Sequence, residues 1–195
     1  MERTLVSLIA RTRAGSLWLG SAPSGSQILA GRAARRLSAL RGLVLCRGAR
    51  RRPRPHLVLG EGKGLVTTHW ANGAFPYWPE YNNIVGRSQQ LHHDKRGPFT
   101  VKVIDHDSPI TRGMADFQTD DELYYDNKDG SIPVQILATA HSNVKDADFP
   151  MALTVHYKKG RVFNTPLGHD VKALQVPQVG ELIRRGTAWA AGTLM

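Results

Sequence analysis

The amino-acid sequence predicts a layered α/β domain in residues 61–195, and two observations lead to that prediction. Short apolar runs bounded by Gly and Pro recur along this region, which is typical of strands rather than of long helices. The last apolar run instead has near-helical spacing. Strands combined with covering helices are the pattern of a domain that is built from packed layers.

Three apolar runs predict the first strands of this domain. Residues 65–69 form a β-branched run after two glycines, and residues 99–104 alternate between the two faces with the period of a half-exposed strand. Residues 134–140 form a mainly apolar run, as buried strands do.

The C-terminal part of the sequence predicts a hairpin and then a helix. Residues 152–157 and 161–165 flank Lys158-Lys159-Gly160, a turn in which we expect Gly160 to supply the positive φ. Residues 176–191 place apolar side chains at near-helical spacing, and Gly192 is expected to close this helix.

The excess positive charge of the chain, +10 in total, lies in residues 1–60. That segment has 12 Arg, no Lys and one acidic residue, whereas residues 61–195 carry 14 basic and 15 acidic residues. We therefore predict that residues 1–60 are not a domain but a disordered, transit-peptide-like or mistranslated segment. The basic residues are not interleaved with aromatic ones and no run is long enough to span a membrane, so neither nucleic acid nor a membrane is the predicted partner.

Polar side chains follow the first and last predicted strands at the points where those strands end. His69 closes the first strand, and Gly168-His169-Asp170 follows the last one. Because ligands bind beyond the carboxyl ends of parallel strands, we expect His69 and His169 to be neighbours in space. Two imidazoles can transfer protons near neutral pH or bind a metal ion, and Asp170 can orient an imidazole or bind the cation itself.

A further set of polar and aromatic side chains is expected to contact the substrate. Carboxylates and a phenol hydrogen-bond sugar hydroxyls, and the two carboxylates also suit a mixed His/carboxylate metal site. The predicted substrate contacts are Asn72, Trp78, Asp121, Glu122 and Tyr124. The structural alternatives are that Asp170 caps a helix and that Trp78 packs in the core against Tyr81.

Seven segments, in order along the chain, resemble the ThuA-like (trehalose-utilisation) domain family. The resemblance covers about residues 60–192. The segments are residues 64–79 (GLVTTHWANGAFPYWP), 108–113 (SPITRG), 120–124 (DDELY), 137–140 (LATA), 159–163 (KGRVF), 167–170 (LGHD) and 185–192 (RGTAWAAG).

The resemblance implies a flavodoxin-like three-layer α/β/α sandwich with a mostly parallel sheet, related to the class I glutamine amidotransferases. Members of the family begin with a βαβ half-sheet before the strand that corresponds to residues 65–69, and residues 1–60 show no such pattern. We therefore expect the N-terminal half of the sheet to be missing. Residues 65–69 would then be an exposed edge strand, and residues 61–195 a partial domain.

The resemblance also implies a function in the use of trehalose or keto sugars. The chain would act on or bind a sugar-derived small molecule, by metal-assisted hydrolysis or by proton transfer beside a carbonyl. The predicted catalytic residues are His69, His169 and Asp170, and the same three residues are the predicted ligands of a divalent metal. Glutamine hydrolysis by a thiolate is excluded, since the single cysteine, Cys46, lies outside residues 61–195.

Two departures from the family pattern keep an alternative open. Ser108 and Asn164 stand where many members have a His, and either change can remove a ligand from a metal site. The alternatives are a non-catalytic carbohydrate-binding or degenerate module, and a nucleic-acid binder with a basic tail. The expected location is cytoplasmic, with a transit-like role of residues 1–60 as the other possibility.

Overall fold

The computed structural model describes residues 6–11, 17–22, 44–45, 55–88 and 92–195. The first strands are β1 (Val6–Arg11), β2 (Leu17–Ala22), β3 (Val44–Leu45), β4 (Gly64–Thr68), β5 (Arg87–Ser88) and β6 (Gly97–Val103). They are followed by β7 (Phe117–Asp121), β8 (Lys128–Asp129), β9 (Val134–Ser142), β10 (Ala147–Tyr157) and β11 (Gly160–Thr165). The α-helices are α1 (Pro55–Gly60), α2 (Pro79–Val85), α3 (Val171–Leu174) and α4 (Pro177–Ala191), and a 3-10 turn covers His69–Gly73.

Within the described residues, nine strands form the main sheet in the order β3-β1-β2-β4-β11-β10-β9-β6-β7. The pairs β2–β4 and β4–β11 are parallel, and the other pairs in this sheet are antiparallel. The prediction of a mostly parallel sheet is therefore wrong. The physical reason is the short loops that connect β9 to β10 and β10 to β11, because such loops can join only antiparallel neighbours.

Strand β4 lies inside the sheet and not at its edge. It pairs in parallel with β11 on one side and with β2 on the other, where Leu17 lies opposite Leu65. The expected exposed edge is therefore wrong, since a strand from residues 1–60 occupies that position. The nature of that segment otherwise stays a prediction, and Cys46 lies outside the described residues.

Helices pack against both faces of the sheet around β4. Alternate side chains of β4 point to opposite faces, and each face has its own apolar cluster. Val66 packs in the cluster that contains Val179 and Leu182 of α4. Leu65 packs in the other cluster, with Ile84 of α2. In the part of the chain that the structure describes, no helix combines the length and the apolar character that a bilayer crossing needs.

The predicted strands, hairpin and C-terminal helix are confirmed, with one change at the turn. Lys158, and not Gly160, adopts the positive φ, at 54°. Gly160 is required for a different reason, since a Cβ there would lie 2.6 Å from the carbonyl oxygen of Lys63. Gly192 closes α4 as expected, with a φ of 79°.

Helix α4 approaches the sheet closely at Gly186, where a Cβ would overlap the ring of Phe163. We expect Gly186→Ala to lower the free energy of unfolding by about 1–3 kcal/mol, because the buried helix must shift away from β11. Gly180→Ala is the matched control in the same helix. Its Cβ would meet nothing closer than the carbonyl oxygen of Leu174 at 3.7 Å, so we expect about 0.5–1 kcal/mol of stabilisation.

Urea unfolding of the two variants and the wild type measures this difference. Equal effects of both substitutions would contradict the close approach of α4 to Phe163.

Candidate metal centre

The parallel pairing of β4 with β11 brings two strand exits to one edge of the sheet. Thr68, the last residue of β4, lies opposite Thr165, the last residue of β11. His69 follows the first of these directly, and His169 follows the second after a short loop. The predicted proximity of the two histidines is confirmed, because His169 Nδ1 lies 3.3 Å from His69 Nε2.

His69 is held in an unfavourable backbone conformation at the end of β4. Its φ is 46°, in the left-handed region that non-glycine residues seldom occupy, and its side chain is buried. The turn that follows is fixed by the amide of Asn72, which donates to the carbonyl of Thr165 at 3.0 Å, and by Tyr81, which donates to Ala71. A backbone outlier that the surrounding structure over-determines is typical of a functional site.

Glu122 joins the two histidines from the far end of the sheet. Its Oε2 lies 3.2 Å from His69 Nε2 and 3.2 Å from His169 Nδ1, so the three atoms form a nearly equilateral triangle. The hydroxyl of Tyr124 donates to the same Oε2 at 2.8 Å. Three polar atoms thus converge on one carboxylate oxygen.

A buried carboxylate, Asp121, brings these elements together. Its Oδ2 accepts from the backbone N–H of Gly168 at 2.7 Å. Its Oδ1 accepts from the N–H of His169 at 3.2 Å and from that of Glu122 at 2.8 Å. β7 is four positions from β11 in the sheet, so this contact requires that the sheet curl back on itself. Asp121 therefore positions Glu122 and His169 through their backbones.

The two neighbouring carboxyl groups have opposite pKa shifts. Burial raises the pKa of Asp121, although its three backbone donors oppose that shift. Burial also disfavours ionisation of Glu122. Hydrogen bonds from His69 and Tyr124, together with the nearby imidazoles of His169 and His93, nevertheless lower the Glu122 pKa to about 2. Glu122 is thus an anion at neutral pH and is available as a ligand.

The donor set of this triangle fits a divalent metal ion. His69, Glu122 and His169 each offer one ligand atom, and all three atoms lie within 4.8 Å of one another. Two imidazole nitrogens and one carboxylate oxygen suit Zn²⁺, Mn²⁺ or Fe²⁺. Ligands bonded at about 2.0–2.2 Å from a common ion lie roughly 3.0–3.5 Å apart, and the observed separations are 3.2–3.3 Å.

Three of the predicted site residues have other contacts. Asp170 caps α3 through Ala173 N–H at 2.9 Å, and its second oxygen lies 2.9 Å from Arg96 Nη2, so this carboxylate is not in the metal cluster. The alternative of a helix cap is confirmed. The side-chain amide of Asn72 donates to the carbonyl of Thr165 and so stabilises the turn after β4. Trp78 is half-buried and stacks on Tyr81 with ring centroids 6.0 Å apart, at the margin of the apolar cluster that contains Ile84, and its contact with a substrate stays a prediction.

One residue at the site was not predicted from the sequence. His93 lies in an isolated antiparallel bridge opposite Tyr124, and its Nε2 is 3.9 Å from Glu122 Oε1. The surrounding residues, His92 to Arg96, have the composition of an exposed polar loop. No spacing or periodicity signals their approach to Glu122, so only the bridge to Tyr124 reveals it.

The chain belongs to the ThuA family, because residues 54–190 match the model of that family, which is described as trehalose utilisation. A solved structure of a protein described as ThuA-like, from Parabacteroides merdae, is similar to this chain at 25% identity with a TM-score of 0.69. The alignment covers 82% of this chain and 73% of that protein. The predicted family resemblance is thereby confirmed.

A second ThuA-like protein, from Bacteroides uniformis, is 22% identical with a TM-score of 0.52, and its likeness shows the fold alone. That alignment covers 67% of this chain and 59% of the other protein. No curated protein matches the sequence significantly.

Substitution of Asp121 by Asn tests its positioning role. The three backbone N–H groups donate to both carboxylate oxygens of Asp121, whereas the side-chain amide of Asn has only one acceptor oxygen. At least one buried N–H group would lose its acceptor, so we expect the free energy of unfolding to fall by about 1–3 kcal/mol. The loop at Gly168 would also shift, and we expect Zn²⁺ affinity to fall roughly 10–100-fold. Chemical unfolding and Zn²⁺ titration measure the two effects.

Asp120→Asn is the matched control, since the exposed Asp120 pairs with Lys172 at 3.0 Å and exposed pairs contribute little. If both variants bind Zn²⁺ like the wild type, Asp121 does not position the ligands.

Substitution of Tyr124 by Phe tests the pKa of Glu122 in the metal-free protein. The change removes a donor to Oε2, so we expect the pKa to rise from about 2 towards the ordinary 4.5. Because the folded pKa is depressed, Glu122 stabilises the fold above pH 4.5, and this contribution disappears as the pH falls towards 2. In Tyr124→Phe we expect this stabilisation to be lost at a higher pH than in the wild type.

Carboxyl ¹³C NMR titration of the glutamates measures this pKa, and Tyr125→Phe is the control at the neighbouring position. An unchanged Glu122 titration in Tyr124→Phe would show that the hydroxyl does not stabilise the anion.

Proposed function

We propose that this protein is a divalent-metal-dependent enzyme that acts on a sugar-derived small molecule. The observation that carries the proposal is the triangle of His69 Nε2, His169 Nδ1 and Glu122 Oε2, with sides of 3.2–3.3 Å. In this proposal all three atoms are metal ligands, so Glu122 takes the ligand position that the sequence assigned to Asp170. The mixed α/β fold with these residues at its strand exits supports the proposal.

His69, His169 and Glu122 would hold a divalent ion, and the ion would supply Lewis acidity for the polarisation of a carbonyl oxygen or the activation of a water molecule. The protein residues then orient the reacting groups. Tyr124 holds the carboxylate through its hydroxyl, which also lies 3.4 Å from His69 Nε2. Asp121 positions Glu122 and His169, because its Oδ1 accepts hydrogen bonds from their backbone N–H groups. The proposed reactions are hydrolysis and proton transfer beside a carbonyl.

Burial indicates the side from which a substrate approaches. The His69 side chain is 3% exposed, whereas those of His169 and His93 are 30% and 34% exposed. The cluster is therefore closed behind His69 and open towards His169 and His93. We place the substrate on that open side.

The sugar-derived substrate is supported by the family description, trehalose utilisation. The imidazoles at the open side and the carboxylate of Glu122 beside them also suit a ligand with several hydroxyl groups. The relationship to flavodoxin-like folds and glutamine amidotransferases stays a prediction, as does the small-molecule nature of the partner.

The two departures from the family pattern bear on the alternative of a degenerate module. The Ser108 backbone N–H and hydroxyl take part in a local turn with Asp105 and Ile110. Asn164 donates to the carbonyls of Val85 and Arg87. The triangle of ligand atoms is complete without either residue, which favours the metal enzyme over the degenerate module.

Metal analysis tests this function directly. We expect wild-type protein reconstituted with Zn²⁺ or Mn²⁺ to retain about one ion per chain, and the His69→Ala, His169→Ala double variant to retain almost none. His141→Ala is the control, because His141 is a half-exposed imidazole paired with Asp148 on another loop. Equal metal content in the wild type and the double variant would remove the proposed site.

Catalysis is separated from binding by incubation of the metal-loaded protein with a keto-glycoside in D₂O. Deuterium uptake beside the carbonyl, or release of the alcohol, is expected with the wild type and His141→Ala and not with the double variant. Binding without either reaction would support the non-catalytic module.

A further inference from the structure

The loop that carries His169 depends on side-chain contacts for its position, because a glycine precedes the histidine. Gly168 has a φ of 103°, a conformation that favours glycine and leaves the backbone less restricted than other residues would. On the buried side of the loop, Asp121 binds the N–H groups of Gly168 and His169. On the outer side, the contacts are made by the carboxylate of Asp170, which directly follows His169.

The carboxylate of Asp170 connects this loop to two other parts of the chain. Its Oδ1 accepts from the Ala173 N–H at 2.9 Å, which fixes it to the first turn of α3. Its Oδ2 lies 2.9 Å from Nη2 of Arg96, a residue of the segment between His93 and β6. The side chains of Arg96 and Asp170 are 34% and 29% exposed, so water screens this pair only in part.

Arg96 itself is anchored at the edge of the main sheet. It directly precedes Gly97, the first residue of β6, and Gly97 pairs with Asp121 of β7 in antiparallel register. Arg96 Nη2 also donates to the backbone carbonyl of Asp120 at 3.5 Å, and Nε makes a longer contact of 3.7 Å with Asp120 Oδ1. The backbone of Arg96 is therefore fixed relative to the strand that ends just before Glu122.

The guanidinium of Arg96 thus connects the segments that carry two of the proposed metal ligands. Glu122 follows β7, to which Arg96 is anchored, and His169 precedes the carboxylate that Arg96 contacts. A second cation, Lys172 of α3, also reaches β7, since its Nζ lies 3.0 Å from Asp120 Oδ2. The Lys172 side chain is 73% exposed, and such exposed pairs contribute little.

We infer that Arg96 is a positioning residue of the proposed metal site, and that it holds His169 at its distance from Glu122 by binding the carboxylate of Asp170. It acts on His169 through the backbone of the loop. This inference rests on the proposed function and adds a residue that controls the geometry of the same site. Without the contact, the loop lets the imidazole of His169 move away from the other ligand atoms, so a metal ion is bound more weakly and with a different ligand geometry.

The experiment compares Co²⁺ binding by the full-length wild type, Arg96→Ala, Asp170→Asn and the double variant. Asn is a good helix N-cap, so Asp170→Asn keeps the cap of α3 and removes the charge that pairs with Arg96. Lys172→Ala is the matched control, since Lys172 is a neighbouring cation that pairs with Asp120 instead. Titration gives the dissociation constant, and the visible absorption of bound Co²⁺ reports the ligand geometry, which a change in folding stability alone does not alter.

We expect each single substitution to weaken Co²⁺ binding roughly 10-fold, the lower end of the effect of residues that orient metal ligands, and to change the absorption bands. The double variant is expected to bind Co²⁺ as weakly as either single variant and no more weakly, because both substitutions break the same contact. Lys172→Ala is expected to match the wild type in both measurements.

Each other outcome overturns the inference in a recognisable way. If Arg96→Ala binds Co²⁺ with the affinity and the spectrum of the wild type, the inference is wrong and the proposed function stands. Additive losses in the double variant, or an equal loss in Lys172→Ala, would show that Arg96 does not act through Asp170. If the wild type binds no Co²⁺, the inference and the proposed function fail together. Should Arg96→Ala not fold, Asp170→Asn decides alone, and wild-type Co²⁺ binding by that variant overturns the inference.

Discussion

The site depends on the parallel pairing of β4 with β11. Strands that run in the same direction end at the same edge, so Thr68 and Thr165 lie opposite each other and the segments after them leave the sheet together. β4 lies between two parallel neighbours, while β11 also begins the antiparallel series through β10 and β9. The junction of the parallel and antiparallel parts of the sheet is therefore where the two histidines meet.

A buried carboxyl group closes the other side of the site. Asp121 is fully buried, and three backbone N–H donors offset part of the cost of desolvating it. Those donors belong to distant parts of the curled sheet, because Glu122 follows the edge strand β7 and Gly168-His169 follow the inner strand β11. The same contacts thus stabilise the fold and position Glu122 and His169.

The turn at His69 shows how backbone strain and chemistry coincide. The left-handed φ of this residue bends the chain sharply at the end of a buried strand, the kind of turn that presents the nucleophile in α/β-hydrolases. An imidazole occupies that position here. Since the ring is buried against Glu122 and His169, the strained turn directs His69 Nε2 towards these two side chains.

Local patterns in the sequence determined the strands, the last hairpin and helix α4, because periodicity and turn residues are short-range properties. The proximity of His69 and His169 was predictable too, since each follows the end of a predicted strand. The tertiary structure alone decided the mostly antiparallel order of the sheet, the position of Glu122 rather than Asp170 beside His69 and His169, and the place of His93. These features depend on the curl that brings β7 against β11, and a curl arises from packing between residues far apart in the chain, which no local pattern encodes.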